Sequence, residues 1–236
     1  MCFDIGLDCY YNFFQQDILL SGKYNEHSLV ALSGAMKKLP ASFYMRDDVL
    51  SIARDLIGKV LVTRWDGILT AGRIVECEAY NGEIDRASHA RGGRRTARTE
   101  IMYGRGGHAY VYLCYGIHHL FNVVTNEADT PHAILIRGLE PLKGIPAMLQ
   151  RTGKKKPDRT LTRGPGNLST ALGIRTSHTG LSLQGSQLYI ADDGYQVAAA
   201  LLKASPRIGV DYAGQDALLP YRFYIEGNPY VSGKPF

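Results

Sequence analysis

Two carboxylates and a phenol fall at every second position of one apolar run, Arg73-Ile74-Val75-Glu76-Cys77-Glu78-Ala79-Tyr80. Strand side chains alternate between faces, so Ile74, Glu76, Glu78 and Tyr80 are expected on one face and Arg73, Val75, Cys77 and Ala79 on the other. A carboxylate fixed on a sheet can act as a general base toward water, and its charge can stabilise a cation developing opposite it. The bland reading is a solvated strand face, since mixed strands often have one wet side. Downstream, Tyr110 and Tyr112 alternate along a second strand-like run, and Tyr115 precedes Gly116, where a hairpin would turn. Each tyrosine taken singly is well explained by packing. Together, beside arginines, a ring at a hairpin tip is suited to enter a base stack, and rings inside a pocket suit an extruded base.

The elements that must position these residues can be read from turn signals and periodicity. Asp66-Gly67 between residues 59–64 and 68–80 is a hairpin signal, because a type I′ turn needs positive φ at both central positions. Residues 48–57 carry a helical apolar stripe, with Asp47 or Asp48 as cap and Gly58 as stop. Residues 81–107, rich in Gly and Arg, read as a long functional loop. Two strands at 108–115 and 117–125, hinged at Gly116, lead to a third at 133–136 that ends at Arg137. Residues 141–150 and 167–172 look helical, and 221–225 is a last strand. The expected fold is a single α+β domain, with a curved, largely antiparallel, open-barrel-like sheet, flanking helices and a protruding β-hairpin. It occupies residues 39–236, and residues 1–38 form an extension of unknown role.

Composition agrees with a folded globule: 236 residues, 45% apolar and 10% aromatic, are enough to fill a core. The net charge is +5, but residues 1–35 carry −3, which leaves +8 for the remainder. Two basic clusters dominate: Arg86, Arg91, Arg94, Arg95, Arg98 and Arg105, then Arg151, Lys154, Lys155, Lys156, Arg159 and Arg163. Such runs suit a polyanion, although the second could equally be a soluble surface. The four cysteines, Cys2, Cys9, Cys77 and Cys114, have neither metal-site spacing nor disulfide density, so a reducing compartment is expected, cytoplasmic or nuclear. No apolar run approaches a membrane span. His118 and His119 are adjacent and so point to opposite strand faces, and no metal or cofactor is expected.

Five segments in order resemble the alkyladenine (3-methyladenine) DNA glycosylase family of base-excision repair. They are Gly72-Arg73-Ile74-Val75-Glu76-Cys77-Glu78-Ala79-Tyr80, Ser88-His89-Ala90-Arg91-Gly92-Gly93-Arg94, Ala109-Tyr110-Val111-Tyr112-Leu113-Cys114-Tyr115-Gly116, Leu135-Ile136-Arg137-Gly138-Leu139-Glu140-Pro141 and Gly164-Pro165-Gly166-Asn167-Leu168. The likeness spans residues 42–232. It implies that Glu78 activates the attacking water, with Arg137 and the Ile208 carbonyl as that water's other partners. Tyr80, His89 and Tyr112 would wall the pocket for a flipped purine, and Asn122 would exclude guanine by collision with its amine. Tyr115 would be the wedge, with Ile117 beside it where some relatives have Met. Arg91, Arg94, Gly164, Gly166 and Gly209 would meet the DNA backbone. The implied partner is double-stranded DNA containing damaged purines, engaged by a monomer with no membrane association and no strand-nicking step.

Two readings from other classes compete. Glu76 and Glu78, ~6–7 Å apart on one face, are reminiscent of a carbohydrate-acting hydrolase. Alternatively the chain is a non-catalytic nucleic-acid binder, in which case Glu78→Gln would leave its properties unchanged.

Overall fold

The Asp66-Gly67 turn has φ of 51° and 79°, as a type I′ hairpin requires. It joins β2 (Val60–Trp65) to β3 (Ile68–Tyr80), with Trp65 opposite Ile68. The computed structural model describes residues 36–233, so what the sequence suggested for residues 1–35 lies outside the described residues. The other strands are β1 (Lys37–Lys38), β4 (Ala109–Cys114), β5 (His118–Thr125), β6 (His132–Lys143), β7 (Leu188–Asp192), β8 (Leu202–Ser205) and β9 (Arg222–Ile225). Among the described residues they make one open nine-stranded sheet ordered β1-β7-β2-β3-β6-β5-β4, with β8 joined through β9 to β3. Every pairing is antiparallel. The expected α+β class with a largely antiparallel open sheet is what the chain adopts.

Strand β3 is the spine. β6 pairs along one of its edges, while β2 and then β9 share the other. Helix α1 (Ala41–Tyr44) is a single turn. Helix α2 (Val49–Leu56) is capped by the Asp48 carboxylate, which accepts from the Leu50 N–H. It buries Val49, Ile52, Ala53 and Leu56 against β3 and β6. Helix α3 (Ile145–Thr152) packs against helix α4 (Pro165–Leu172), which in turn packs on β5 and β6. Ile52, Leu56, Phe121, Ile134 and Ile136 belong to one core from which water is excluded, each contributing ~1.5–3 kcal/mol by burial.

Three sequence expectations change. Ile74 lies in the core with Val75, Cys77 and Ala79, and does not share the face of the acids, because the β3–β6 register shifts between Ile74 and Glu76. The third strand of the meander does not stop at Arg137 but runs on to Lys143, with Arg137 as the unpaired extra residue between the pairs Cys77–Ile136 and Glu76–Gly138. Bulges of this kind re-aim a side chain beside a site. Residues 141–143 are therefore strand, paired to Gly72 and Ala71, and the helix begins only after Gly144 turns the chain at φ 76°. Local helical pattern lost to tertiary strand pairing there. Lys37 and Lys38 pair with Asp192 and Ala191.

Candidate active site

Glu78 is completely buried, opposite Leu135 on one neighbouring strand and Arg222 on the other. A buried carboxylate must be paired and hydrogen-bonded. Its Oε2 accepts from the Tyr80 hydroxyl at 2.9 Å and from Arg137 Nη1 at 3.3 Å. Its Oε1 accepts from the Ile208 N–H at 2.7 Å. Ile208 thus reaches Glu78 through its amide N–H. Burial opposes the charge on Arg137, but the adjacent Glu78 and Glu76 more than offset it, and the guanidinium binds its proton more tightly than usual. Burial and then the charge of Glu78 push the Tyr80 hydroxyl well above its ordinary range, so it remains a donor.

Glu76 is equally buried and is saturated. Oε1 accepts from Arg222 Nε at 2.7 Å, the Ser232 hydroxyl at 2.9 Å and Arg137 Nε at 3.1 Å, while Oε2 accepts from the Ser232 N–H. Three donors converge on Oε1 and one on Oε2, four hydrogen bonds in all, which fix the carboxylate in place. Neither acid lines the nearby cavity itself, but the Tyr80, Arg137 and Ile208 that hold Glu78 do, whereas the Arg222 and Ser232 that hold Glu76 do not. The two-carboxylate sugar-hydrolase reading therefore loses its second acid: Glu76 anchors Arg137 and cannot work across a cleft. Arg222 and Ser232, which fix it, carry no local sequence signal.

A cavity of about 590 Å³ opens against this network. Tyr80, Arg137 and Ile208, the three residues that bind Glu78, stand in its wall, so the carboxylate sits one residue behind the surface. His89, Tyr110 and Tyr112 form an aromatic side: His89 meets Tyr112 edge-on at 4.7 Å, and Tyr110 lies 5.6 Å from Tyr112. His89 Nδ1 is 2.9 Å from the Tyr110 hydroxyl. Burial, followed by the charges of Arg98 and Arg94, lowers His89 to about 4, so the ring is neutral at physiological pH. Asn122 also lines the cavity, and its Nδ2 donates to the Tyr110 and Leu120 carbonyls at 3.2 Å each. Tyr110, read from the sequence as a strand-face ring beside Tyr112 but not placed in the pocket by the family resemblance, lines the cavity; Arg98, whose guanidinium lies 4.8 Å over the Tyr112 ring, was one arginine among many and was missed.

At the mouth, Tyr115 occupies the left-handed region at φ 50° with Gly116 at 73°, and residues 115–117 make the tight turn between the paired Cys114 and His118. Tyr115 is 91% exposed and Ile117 71%, an uncommon cost for large apolar groups that no packing offsets. Gly164, Gly166 and Gly209 line the same cavity. At Gly166 a Cβ would come within 2.7 Å of His118 Nδ1, so a side chain there would displace the His118 ring. Arg91 and Arg94 line an adjoining cleft with Arg86 and Arg98, and among the described residues none of these four has a carboxylate within ion-pair distance. Arg95 and Arg105 are instead paired with acids. Half of the second basic cluster is bonded within the fold: Arg151 donates to Ala171 O, Lys154 to Thr160 Oγ1 and Arg163 to Val231 O, while Lys155, Lys156 and Arg159 are exposed. Among the described residues, no group of three His, Cys, Asp or Glu side chains could hold a metal, and no helix is long and apolar enough to cross a membrane.

An acid fixed beneath an aromatic cavity, beside a projecting ring and a basic cleft, defines a hydrolase that works on a base-bearing polyanion. The profile of the family described as methylpurine-DNA glycosylase (MPG) matches residues 42–229, and the chain belongs to that family. Proteins described as "Putative 3-methyladenine DNA glycosylase" in Bacillus cytotoxicus and Bacillus thuringiensis are 46% and 47% identical over 203 residues. The alignments cover 83% of this chain and 99% and 98% of those relatives. The chain is accordingly a DNA-repair glycosylase for alkylated bases, a hydrolase of N-glycosyl bonds.

Proposed function

We propose that the protein flips alkylated purines out of duplex DNA and hydrolyses the N-glycosidic bond, leaving an abasic site in an uncut strand. The observation that carries this reading is the desolvated Glu78, held by Tyr80, Arg137 and Ile208 at the wall of an aromatic cavity. Three of its four acceptor positions are filled, and the one left on Oε1 is where a water would bind. That water's oxygen bonds to the sugar carbon while its proton passes to Glu78. The base leaves with the bonding electron pair, and a cationic alkylated purine departs neutral. The anion also stabilises the oxocarbenium-like sugar. Arg137 cannot act as the base, because a guanidinium does not deprotonate.

Tyr80, His89 and Tyr112 stack on the extruded purine, and Asn122 stands against the amine of guanine. Tyr115, with Ile117, fills the gap in the duplex, which offsets part of the few kcal/mol that flipping costs. Arg91, Arg94 and the Gly164, Gly166 and Gly209 backbone meet phosphates. No lysine lines the cavity among the described residues, which favours simple hydrolysis over a strand-nicking amine. The protein acts as a monomer wherever the DNA is, in a bacterial cytoplasm or a nucleus. Deaminated purines such as hypoxanthine are a further candidate substrate class; being neutral, they must gain a proton as they leave, and no Asp or Glu lines the cavity to give it.

The test is to incubate the protein with duplexes bearing an alkyladenine, hypoxanthine or a plain purine and score alkali-sensitive abasic sites. Cleavage at the alkyladenine and none at the plain purine is expected. Binding without any abasic product would leave only a nucleic-acid binder.

A further inference from the structure

We infer that Tyr80 has a second task besides walling the cavity: its hydroxyl sets which oxygen of Glu78 serves as the base. The inference rests on the glycosylase reading above and deepens it. Tyr80 and Glu78 are two apart on β3, so both point the same way, and the phenol reaches Oε2 at 2.9 Å. With Arg137 on the same oxygen, Oε2 has no acceptor position left for water. Oε1 carries only the Ile208 N–H, so the proton from water can go only there.

The ring is fixed independently of any substrate. The Arg207 guanidinium lies 4.9 Å from the Tyr80 ring and 5.2 Å from the Tyr221 ring, and Asp85 grips it in turn. Arg207 does not reach the cavity, whereas Tyr80 does. One face of the phenol is therefore backed by a buried cation, and the ring that would stack on the base carries at its end the donor that orders the acid.

The groups around Glu78 allow a clean pH test. On its own strand are Glu76, Cys77 and Tyr80. Arg137 faces it from β6, Tyr112 from β4, Arg222 from β9, and Arg207 and Tyr212 from the segment after β8. Cys77, Tyr80, Tyr112 and Tyr212 are all pushed upward by burial and stay neutral in acid. His89 titrates at about 4, but its contacts are Tyr110, Tyr112 and Arg98, which a change at Tyr80 leaves in place.

The experiment measures single-turnover base release from an alkyladenine duplex by wild type, Tyr80→Phe and Tyr80→Ala, as a function of pH and of protein concentration. Tyr80→Phe keeps the stacking ring, so half-saturation should stay within about twofold, while the neutral-pH rate falls about tenfold, as expected for one hydrogen bond to a charged group. The deficit should persist across the acidic range, where Cys77, Tyr80, Tyr112 and Tyr212 all stay neutral. Tyr80→Ala should lose half-saturation as well, and thermal melting identifies any variant that fails to fold. Superimposable profiles for wild type and Tyr80→Phe, or a loss confined to binding, overturn the inference while base release by wild type leaves the glycosylase reading intact. No release by wild type removes both.

Discussion

Arg207 grips Asp85 with both terminal nitrogens, at 2.5 and 2.9 Å, in a place where each side chain is almost wholly shielded from water. Asp85 also accepts from the Asn81 and Ala87 N–H groups, so one carboxylate ties the start of the arginine-rich loop to the segment that delivers Ile208. Removing one member of such a pair strands the other as an uncompensated buried charge. Asp85→Ala should cost ~3–5 kcal/mol in urea unfolding. Asp85→Ala combined with Arg207→Met should cost less than the sum of the two single changes, and additivity would show that the ions are not coupled.

Glu78→Gln keeps the size of the side chain but removes the negative charge and the proton acceptor. It should still bind alkyladenine duplex yet release no base, because no Asp or Glu stands in the cavity wall to take its place. Binding by gel shift and base release on the same preparation decide the matter, and measurable excision by the variant would end the role given to Glu78.

Tyr115 holds a left-handed φ that L residues avoid, and nothing packs on its ring. Tyr115→Gly should therefore leave stability unchanged or raise it by up to ~1 kcal/mol. Capture of extruded bases should weaken more than binding to undamaged duplex, as read by competition between the two duplexes. Equal losses on both would argue against a wedge.

What the sequence disclosed, and what it hid, divides along local and non-local physics. The Asp66-Gly67 turn, the Asp48 cap and the Tyr115-Gly116 tip are each written in two or three residues, and each forms as read. The bulge that aims Arg137 depends on which residues face one another across β3 and β6, which no local pattern encodes. The same holds for Glu76. Its spacing from Glu78 suggested a partner acid, but Arg222 and Ser232, distant in the chain, convert it to an anchor. Arg98 was hidden among equals, since composition marks a basic cluster without saying which member meets the aromatic rings.

The neutral His89 has a consequence for stability. Its folded value, about 4, lies below the ordinary value of 6.5, so between these the unfolded chain binds the proton and the folded one does not. Stability contributed by keeping this ring neutral is present above about pH 6.5 and is lost as pH falls toward 4. Urea midpoints for wild type should decline across that window, and His89→Gln should flatten part of the decline. An unchanged slope in the variant would mean that other groups carry it.

Four arginines, Arg86, Arg91, Arg94 and Arg98, have no acid of their own among the described residues and line one cleft beside the cavity. Each phosphate contact releases counterions and contributes about −0.9 to the slope of log affinity against log salt, so four contacts give about −3.6. Fluorescence anisotropy with an undamaged duplex should then show affinity falling roughly a hundredfold from ~50 to ~200 mM salt. Arg91→Ala with Arg94→Ala should make the slope shallower by about 1.8 without altering which base is released once DNA is bound. A flat salt response, or a slope untouched by the double change, would place the DNA elsewhere on the surface.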